Sequence, residues 1–349
     1  MSMDKPALLD MTADELADAL ASLGEPRFRA KQVRQWLMKG RDVDEMANVP
    51  AATRQKLKDC FALGGARIIE TRRSAHDGTE KFLFALHDGN VIEGVLMAYK
   101  HGNTLCVSTQ VGCRMGCAFC ASTTAGLVRN LTAGEMLGQV IAVNTAHGGG
   151  RQVTNLVLMG SGEPLDNYDN VLKFLRGASS PDGLGISPRN ISVSTCGLPD
   201  GMDRLSREGL PLTLCLSLHS PDDEGRQALI PAARAFSVRQ VVDALRRYVD
   251  ATGRRAIVEY AMIEGVNDSP AHAKRLAELL RGLQCHVNLI PLNSVEEAKL
   301  KGSKPQAIDR FLRELEHLGV SATKRRTLGE DIEGACGQLR RKHLEDNTH

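Results

Sequence analysis

Three cysteines, Cys113, Cys117 and Cys120, stand at C-x3-C-x2-C spacing just after the run Leu105-Cys106-Val107. Gly112 and Gly116 lie among them and supply the positive-φ freedom needed to fold three side chains inward onto one point. Thiolates this close together suit a soft metal, either zinc or an iron–sulfur cluster. A structural zinc site closes with four protein ligands, and no further Cys or His follows within a turn, so the spacing predicts an open coordination position. A second candidate is the loop Met159-Gly-Ser-Gly-Glu-Pro164, whose glycines either admit a ligand to the backbone or only make a tight turn. A third is Cys336, flanked by Gly334 and Gly337 with basic residues nearby. An exposed thiol in such surroundings leans toward thiolate and is nucleophilic.

The elements that must hold these residues fall into two patterns. Residues 10–60 read as helical: cap-like residues at 10–15 precede Leu16, Leu20 and Leu23, Pro26 breaks the pattern, and Phe28, Val33, Trp36 and Leu37 resume it. Residues 67–99 alternate apolar and polar positions around His87-Asp88-Gly89-Asn90, a hairpin turn signal. From residue 104 strand and helix alternate. Strands are predicted at 104–108, 155–159, 191–195, 212–218, 256–262 and 286–290, with an edge strand within 321–328. Helices are predicted near 132–146, 168–178, 200–208, 238–251, 270–282 and 305–318. Strands separated by helices form parallel βαβ units, and six are too few to close an eight-fold barrel. The expected class is α/β, a partial (βα)6 barrel. The expected layout is a helical accessory module at 1–66, a hairpin extension at 67–100, and the catalytic barrel with the Cys336 loop at 101–349. The cysteine loop, Gly162-Glu163, Thr195-Cys-Gly197, Ser217-Leu218-His219 and Asn293 all fall at the C-terminal ends of predicted strands, where parallel α/β proteins bind ligands.

The cysteine spacing, with Phe119 just before the last Cys, resembles the signature of radical S-adenosylmethionine (SAM) enzymes. The surrounding text is narrower. Thr104–Cys113, Arg129-Asn-Leu-Thr132, Met159–Leu165, Ser194-Thr-Cys-Gly197, Ser217-Leu-His219, Gly265-Val-Asn-Asp268, Val287–Pro291 and Asp331–Leu339 resemble, in order and over nearly the whole chain, the RlmN/Cfr family of RNA adenosine methyltransferases. The resemblance implies a 4Fe–4S cluster on Cys113, Cys117 and Cys120, with SAM on the fourth iron. It implies SAM contacts from Gly162, Glu163, Ser194, Ser217, Leu218, His219 and Asn293, and two SAM molecules per turnover. It makes Cys336 the methyl carrier, Cys106 the thiol that pairs with it in a transient disulfide, and Glu93 a proton acceptor. Val91-Ile-Glu-Gly-Val95 departs mildly from the family text around that carboxylate, and Ser161 stands where Met or Ile is commoner. The implied activity is methylation of adenosine carbon 2 in 23S rRNA at the peptidyl-transferase centre and in tRNA beside the anticodon. The alternative is carbon 8, the antibiotic-resistance activity of the same family, which shares every catalytic motif. Reductants would serve the cluster and the Cys106–Cys336 disulfide.

Composition fits this frame. The chain has 349 residues, 4% aromatics and a formal net charge of +2, so RNA binding requires local basic patches. Arg27, Arg29, Lys31, Arg34 and Lys39 around Trp36 form one candidate; Lys324, Arg325, Arg326, Arg340, Arg341 and Lys342 form the other. The nine cysteines are odd in number, and the N-terminus lacks a signal-peptide core; both point to a reducing, cytoplasmic setting. Cys60, Cys196, Cys215 and Cys285 are expected to pack as small apolar residues. No apolar window long enough for a membrane span occurs, and a monomer is expected. Two other classes compete: a non-catalytic zinc RNA-binding protein, and a radical SAM enzyme acting on a small molecule or peptide.

Overall fold

The computed structural model describes residues 5–292, 300–332 and 339. Three helices open the chain: α1 (Ala13–Ser22), α2 (Arg29–Leu37) and α3 (Ala51–Cys60). Thr12 starts α1 through a capping box, its hydroxyl accepting the Glu15 N–H while the Glu15 carboxylate accepts the Thr12 N–H. Leu16 and Leu20 turn into the core. Phe28 does not follow the helical spacing read from sequence: it precedes the first turn of α2 and is 63% exposed. Cys60, expected to pack, is exposed at the end of α3.

Next come β1 (Arg67–Arg73), β2 (Glu80–Ala85), β3 (Val91–Tyr99) and β4 (Gly102–Cys106), an antiparallel meander. The predicted hairpin is β2–β3. It is not docked on the catalytic sheet but continuous with it. β4 pairs antiparallel with β3 on one side and parallel with β7 (Asn155–Leu158) on the other. The parallel series continues through β8 (Ile191–Thr195), β9 (Thr213–Ser217), β10 (Ala256–Met262), β11 (Cys285–Pro291) and the short edge strand β12 (Ala322–Lys324). The sheet therefore has ten strands in the order β1-β2-β3-β4-β7-β8-β9-β10-β11-β12. A separate two-stranded ribbon, β5 (Gln110–Gly112) with β6 (Leu127–Asn130), brackets the cysteine loop.

Helices α4 (Ala133–Ala146), α5 (Tyr168–Ser179), α6 (Pro199–Ser206), α8 (Val238–Thr252), α9 (Pro270–Leu279) and α10 (Pro305–His317) connect the strands as predicted. One further helix, α7 (Asp223–Leu229), lies in a stretch read as loop. The main core lies between these helices and one face of the sheet, where Val140, Leu156, Val193, Leu214 and Val258 are fully buried.

The other face is rolled inward. Residues after β12 cross from the last strand to the meander: the Arg325 N–H bonds the Leu289 carbonyl at 2.8 Å, Leu328 packs with Val95 and Met97, and the Gly329 N–H bonds Asp77 at 2.8 Å. This strap bridges the two ends of an open sheet, which gives the partial barrel its mouth.

One ion pair ties the meander to the first crossover helix. Arg129 donates to both carboxylate oxygens of Glu135 at 2.8 Å and to Asp88, in the β2–β3 turn, at 2.6 Å. Glu135 is also the capping-box residue of α4 and its side chain is only 3% exposed. The two carboxylates raise the Arg129 pKa, and Arg129 holds Asp88 well below the usual carboxylate range. Arg129→Met is expected to lower unfolding stability by about 3 kcal/mol, because it strands a buried carboxylate. Urea titration followed by circular dichroism checks this, and a loss under about 0.5 kcal/mol, the scale of an ordinary surface substitution, would contradict it.

Candidate active site

β5 and β6 hold the cysteine loop closed at its base. The Cys113 N–H bonds the Gly126 carbonyl at 3.0 Å. Gly112 has φ +78°, and a Cβ there would overlap that same carbonyl oxygen. Only glycine permits both the turn and the approach. The loop leans on the segment after α7: the Ala118 N–H bonds the Leu229 carbonyl at 2.9 Å and the Ala232 N–H bonds the Met115 carbonyl at 3.3 Å. Cys113, Met115, Cys196, Leu229, Ile230 and Ile263 form a small apolar cluster of their own. Burial pushes the Cys113 thiol up to about 11 and the Cys117 thiol up to about 12, so binding a metal centre there must expel protons.

Among the described residues, no three Cys, His, Asp or Glu side chains are gathered closely enough to hold a single ion. A lone zinc at about 2.3 Å from each sulfur requires tighter convergence, whereas a cluster spreads its ligands. Arg226 on α7 adds a second test of fit. It is 1% exposed, one nitrogen donates to the Cys196 carbonyl, and among the described residues Nε and Nη1 have no hydrogen-bond partner. Its charge is felt at both Cys117 and Cys196. A buried unpaired guanidinium is expensive unless an anion faces it, and a set of three cluster-bound thiolates is such an anion. These residues fit an iron–sulfur cluster.

The Gly160–Glu163 loop packs on the strand end that leads into the cysteines. Added Cβ atoms would lie 2.6 Å from the Val107 carbonyl at Gly160 and 2.6 Å from the Thr109 hydroxyl at Gly162. The close approach that demands glycine is therefore to this backbone. Glu163 is buried, and its carboxylate accepts the N–H groups of Leu165 at 3.0 Å and Cys196 at 2.7 Å. Burial raises its pKa against these bonds. Ser161 is integrated too: its N–H bonds the Ser108 hydroxyl, which itself donates to the Glu93 carbonyl at 2.7 Å. Gln139 completes this network, bonding both the N–H and the carbonyl of Ser108.

Across the mouth, the hydroxyls of Ser194 on β8 and Ser217 on β9 lie 3.4 Å apart. Leu218 is fully buried. His219 has φ +60°, a strained conformation for a non-glycine residue. Asn267 pins it there, donating to the carbonyls of His219 and Ala261. His219 Nδ1 accepts the Ala261 N–H at 2.9 Å, so the ring proton is on Nε2. Burial pushes the imidazole down to about 3, which keeps it a neutral donor. Its ring meets Phe119 of the cysteine loop edge-on, with centroids 4.8 Å apart. Two hydroxyls, one imidazole N–H and a buried carboxylate suit a ligand bearing amino, carboxylate and ribose groups, as SAM does. Asn293, the seventh predicted contact, lies outside the described residues.

Cys106 ends β4 and is buried with Val95, Met97 and, partly, Met159. It lines a cleft of about 310 Å³ together with Cys120, Phe119, Tyr99, Arg325 and Arg326. Cys120 and Cys106 thus open onto one space. Glu93 is on β3, opposite Leu83 of β2. Its carboxylate lies 3.3 Å from the Lys81 ammonium, and both side chains are buried. Lys81 and Arg226 are the two site residues that sequence reasoning missed; isolated cations in apolar or loop text give no signal. Cys336 lies outside the described residues, but nearby Ile332 and Leu339 are buried, and Leu339 packs with Leu83 and Val91 of the meander.

The N-terminal basic patch is largely spent on structure. Arg34 is buried and donates to the Met11 carbonyl, Arg29 pairs with Glu25, Arg27 with Asp18 and Lys31 with Asp182. Lys39 sits over the Trp36 ring at 5.7 Å. No described helix is long and apolar enough to cross a membrane.

Comparison with known proteins agrees with this geometry. The sequence profile of the Radical SAM superfamily matches residues 107–280, and that of the Ribosomal RNA large subunit methyltransferase N-terminal domain matches residues 7–63. The chain is 50% identical to the probable dual-specificity RNA methyltransferase RlmN of Symbiobacterium thermophilum, over 98% of this chain and 94% of that one. It is 46% identical to the protein of the same name from Clostridium novyi, over 97% and 99%. The crystal structure of a radical SAM methyltransferase from Sphaerobacter thermophilus superposes with a TM-score of 0.91 at 44% identity, covering 95% of this chain and 98% of that one. With the cysteine loop, the strand-end site and both matched segments in one chain, the protein belongs to the RlmN family of radical SAM RNA methyltransferases.

Proposed function

We propose that the chain methylates carbon 2 of adenosine in 23S rRNA and in tRNA, through a methylated Cys336 and a transient Cys106–Cys336 disulfide. The observation that carries this reading is the shared cleft of Cys106 and Cys120, beside a meander that anchors Leu339 from the Cys336 motif. Cys113, Cys117 and Cys120 would hold the cluster. Gly162, Glu163, Ser194, Ser217, Leu218, His219 and Asn293 would hold SAM. When bound, this pair supplies the methyl group and the radical that activates it.

The remaining work falls to the chain. Cys336 carries the methyl group as a thioether and tethers the base once the new carbon–carbon bond forms. Such a route is needed because the ring carbon is electron-poor and cannot attack a methyl donor itself. Glu93, oriented by Lys81 at 3.3 Å, accepts the ring proton. The Cys106 thiolate then attacks the Cys336 sulfur; the carbon–sulfur bond breaks, its electron pair stays on the base-bound methylene carbon, and a proton taken up there completes the methyl group, after which a cellular dithiol reduces the resulting disulfide by exchange. His219, held neutral and with Nε2–H outward of its Ala261 bond, positions SAM. The helical module of residues 1–66 and the meander at 67–100 would flank the RNA held at the mouth of the barrel of 101–349. The target adenosine must leave its stack to reach the cleft. A reducing cytoplasm and a monomeric chain accord with this chemistry. Carbon 8 is the second reading, since it uses the same residues; the dual-specificity name of the relatives is consistent with the carbon-2 reading.

Two experiments test the roles. Cys106→Ala should accumulate a covalent protein–RNA adduct on denaturing gels, because the tether forms and is not released, while Cys336→Ala should form none. An adduct in Cys336→Ala would show that another residue carries the methyl group. Separately, anaerobic reconstitution should give equal iron and sulfide in wild type and in Cys336→Ala, and little of either in Cys117→Ala. Full iron and sulfide in Cys117→Ala would remove that residue from the cluster.

A further inference from the structure

The strap that closes the barrel mouth carries three consecutive basic residues, and they are not equivalent. The Lys324 ammonium lies 3.4 Å from Asp309, and Arg325 lies 3.9 Å from the buried Glu259. Arg326 is exposed, lines the cleft with Cys106 and Cys120, and among the described residues forms no ion pair. At the end of β3, Tyr99 also lines the cleft, and its ring stacks on exposed His101 with centroids 5.1 Å apart and planes 11° from parallel. An unspent guanidinium and a stacked aromatic pair at one cleft form the pairing that a single-stranded nucleotide recognises: phosphate on the cation, base on the ring.

We infer that this rim is the RNA seat: Arg326 binds a phosphate flanking the target adenosine, and the His101–Tyr99 stack receives a neighbouring base. The inference rests on reading the cleft as the place where the RNA base meets the cluster. It also explains how a chain of net charge +2 whose N-terminal arginines are mostly internally paired holds a polyanion: the needed charge is local and at the mouth.

The test measures binding of a single-stranded RNA hairpin loop to the reconstituted full-length enzyme across a salt series. Each lost phosphate contact should reduce the slope of log affinity against log salt by about 0.7 for single strands. Arg326→Gln should show that reduction, and Arg310→Gln, exposed on α10, should not. His101→Ala should bind about tenfold more weakly with the slope unchanged. Circular dichroism and iron and sulfide content should match wild type in all three variants. An Arg326→Gln slope equal to wild type would overturn the seat, whatever the methylation result. A reduced slope in an enzyme whose wild type leaves that RNA unmethylated would keep the seat and fault the proposed reaction.

Discussion

β4 is the strand on which the site depends, because it is hydrogen-bonded on both sides in opposite senses. Cys106 at its end faces Val95 of the antiparallel β3 and Val157 of the parallel β7. The first pairing brings Glu93 and Lys81 to the inner face; the second joins them to the sheet whose strand ends carry Glu163, Ser194 and Ser217. A one-residue slip of β4 would turn Cys106 to the helical side. The same strand runs on through Ser108 into the cysteine loop, so one register fixes Cys106, the cysteine loop and Glu93 together. Gln139 reinforces it by bonding both backbone groups of Ser108.

Around that strand the site is polar yet buried. Glu163 is satisfied by two backbone N–H groups, His219 by one, and Ser161 by the Ser108 hydroxyl. These bonds lock donors and acceptors before any ligand arrives, which limits the reorganisation that binding must bring about. Among the described residues, Arg226 keeps two nitrogens, and Thr109 its hydroxyl, without a hydrogen-bond partner. An unmet charge beside the cysteine loop marks where the protein is built to receive an anion.

Much of this was legible in the sequence. Period-two and helical repeats located the six parallel strands and their helices to within a few residues, because buried parallel strands and crossover helices each impose a pattern. Strand-end motifs then converged without any need for coordinates. Other features were illegible for physical reasons. β1, Arg67–Arg73, is rich in charge and half exposed, so within the alternating stretch 67–99 it did not stand out as a strand of its own. α7 is too short, and too polar in its first turn, for a periodic signal. The arginine run after Pro26 looked like a nucleic-acid patch because sequence does not reveal that Arg34 is buried or that Glu25 and Asp18 lie beside its neighbours. Lys81 is hidden for the opposite reason: an inward cation on a strand reads as one of the outward positions.

The central claim concerns one atom of one base, and nucleoside mass spectrometry reads it directly. Reconstituted enzyme, SAM and a reductant would be incubated with protein-free 23S rRNA or tRNA, and the digest compared with authentic 2-methyladenosine and 8-methyladenosine. The account predicts 2-methyladenosine from both RNAs. Finding 8-methyladenosine would contradict the site of methylation while leaving the two-cysteine chemistry in place; finding neither, with SAM still cleaved, would contradict the substrate.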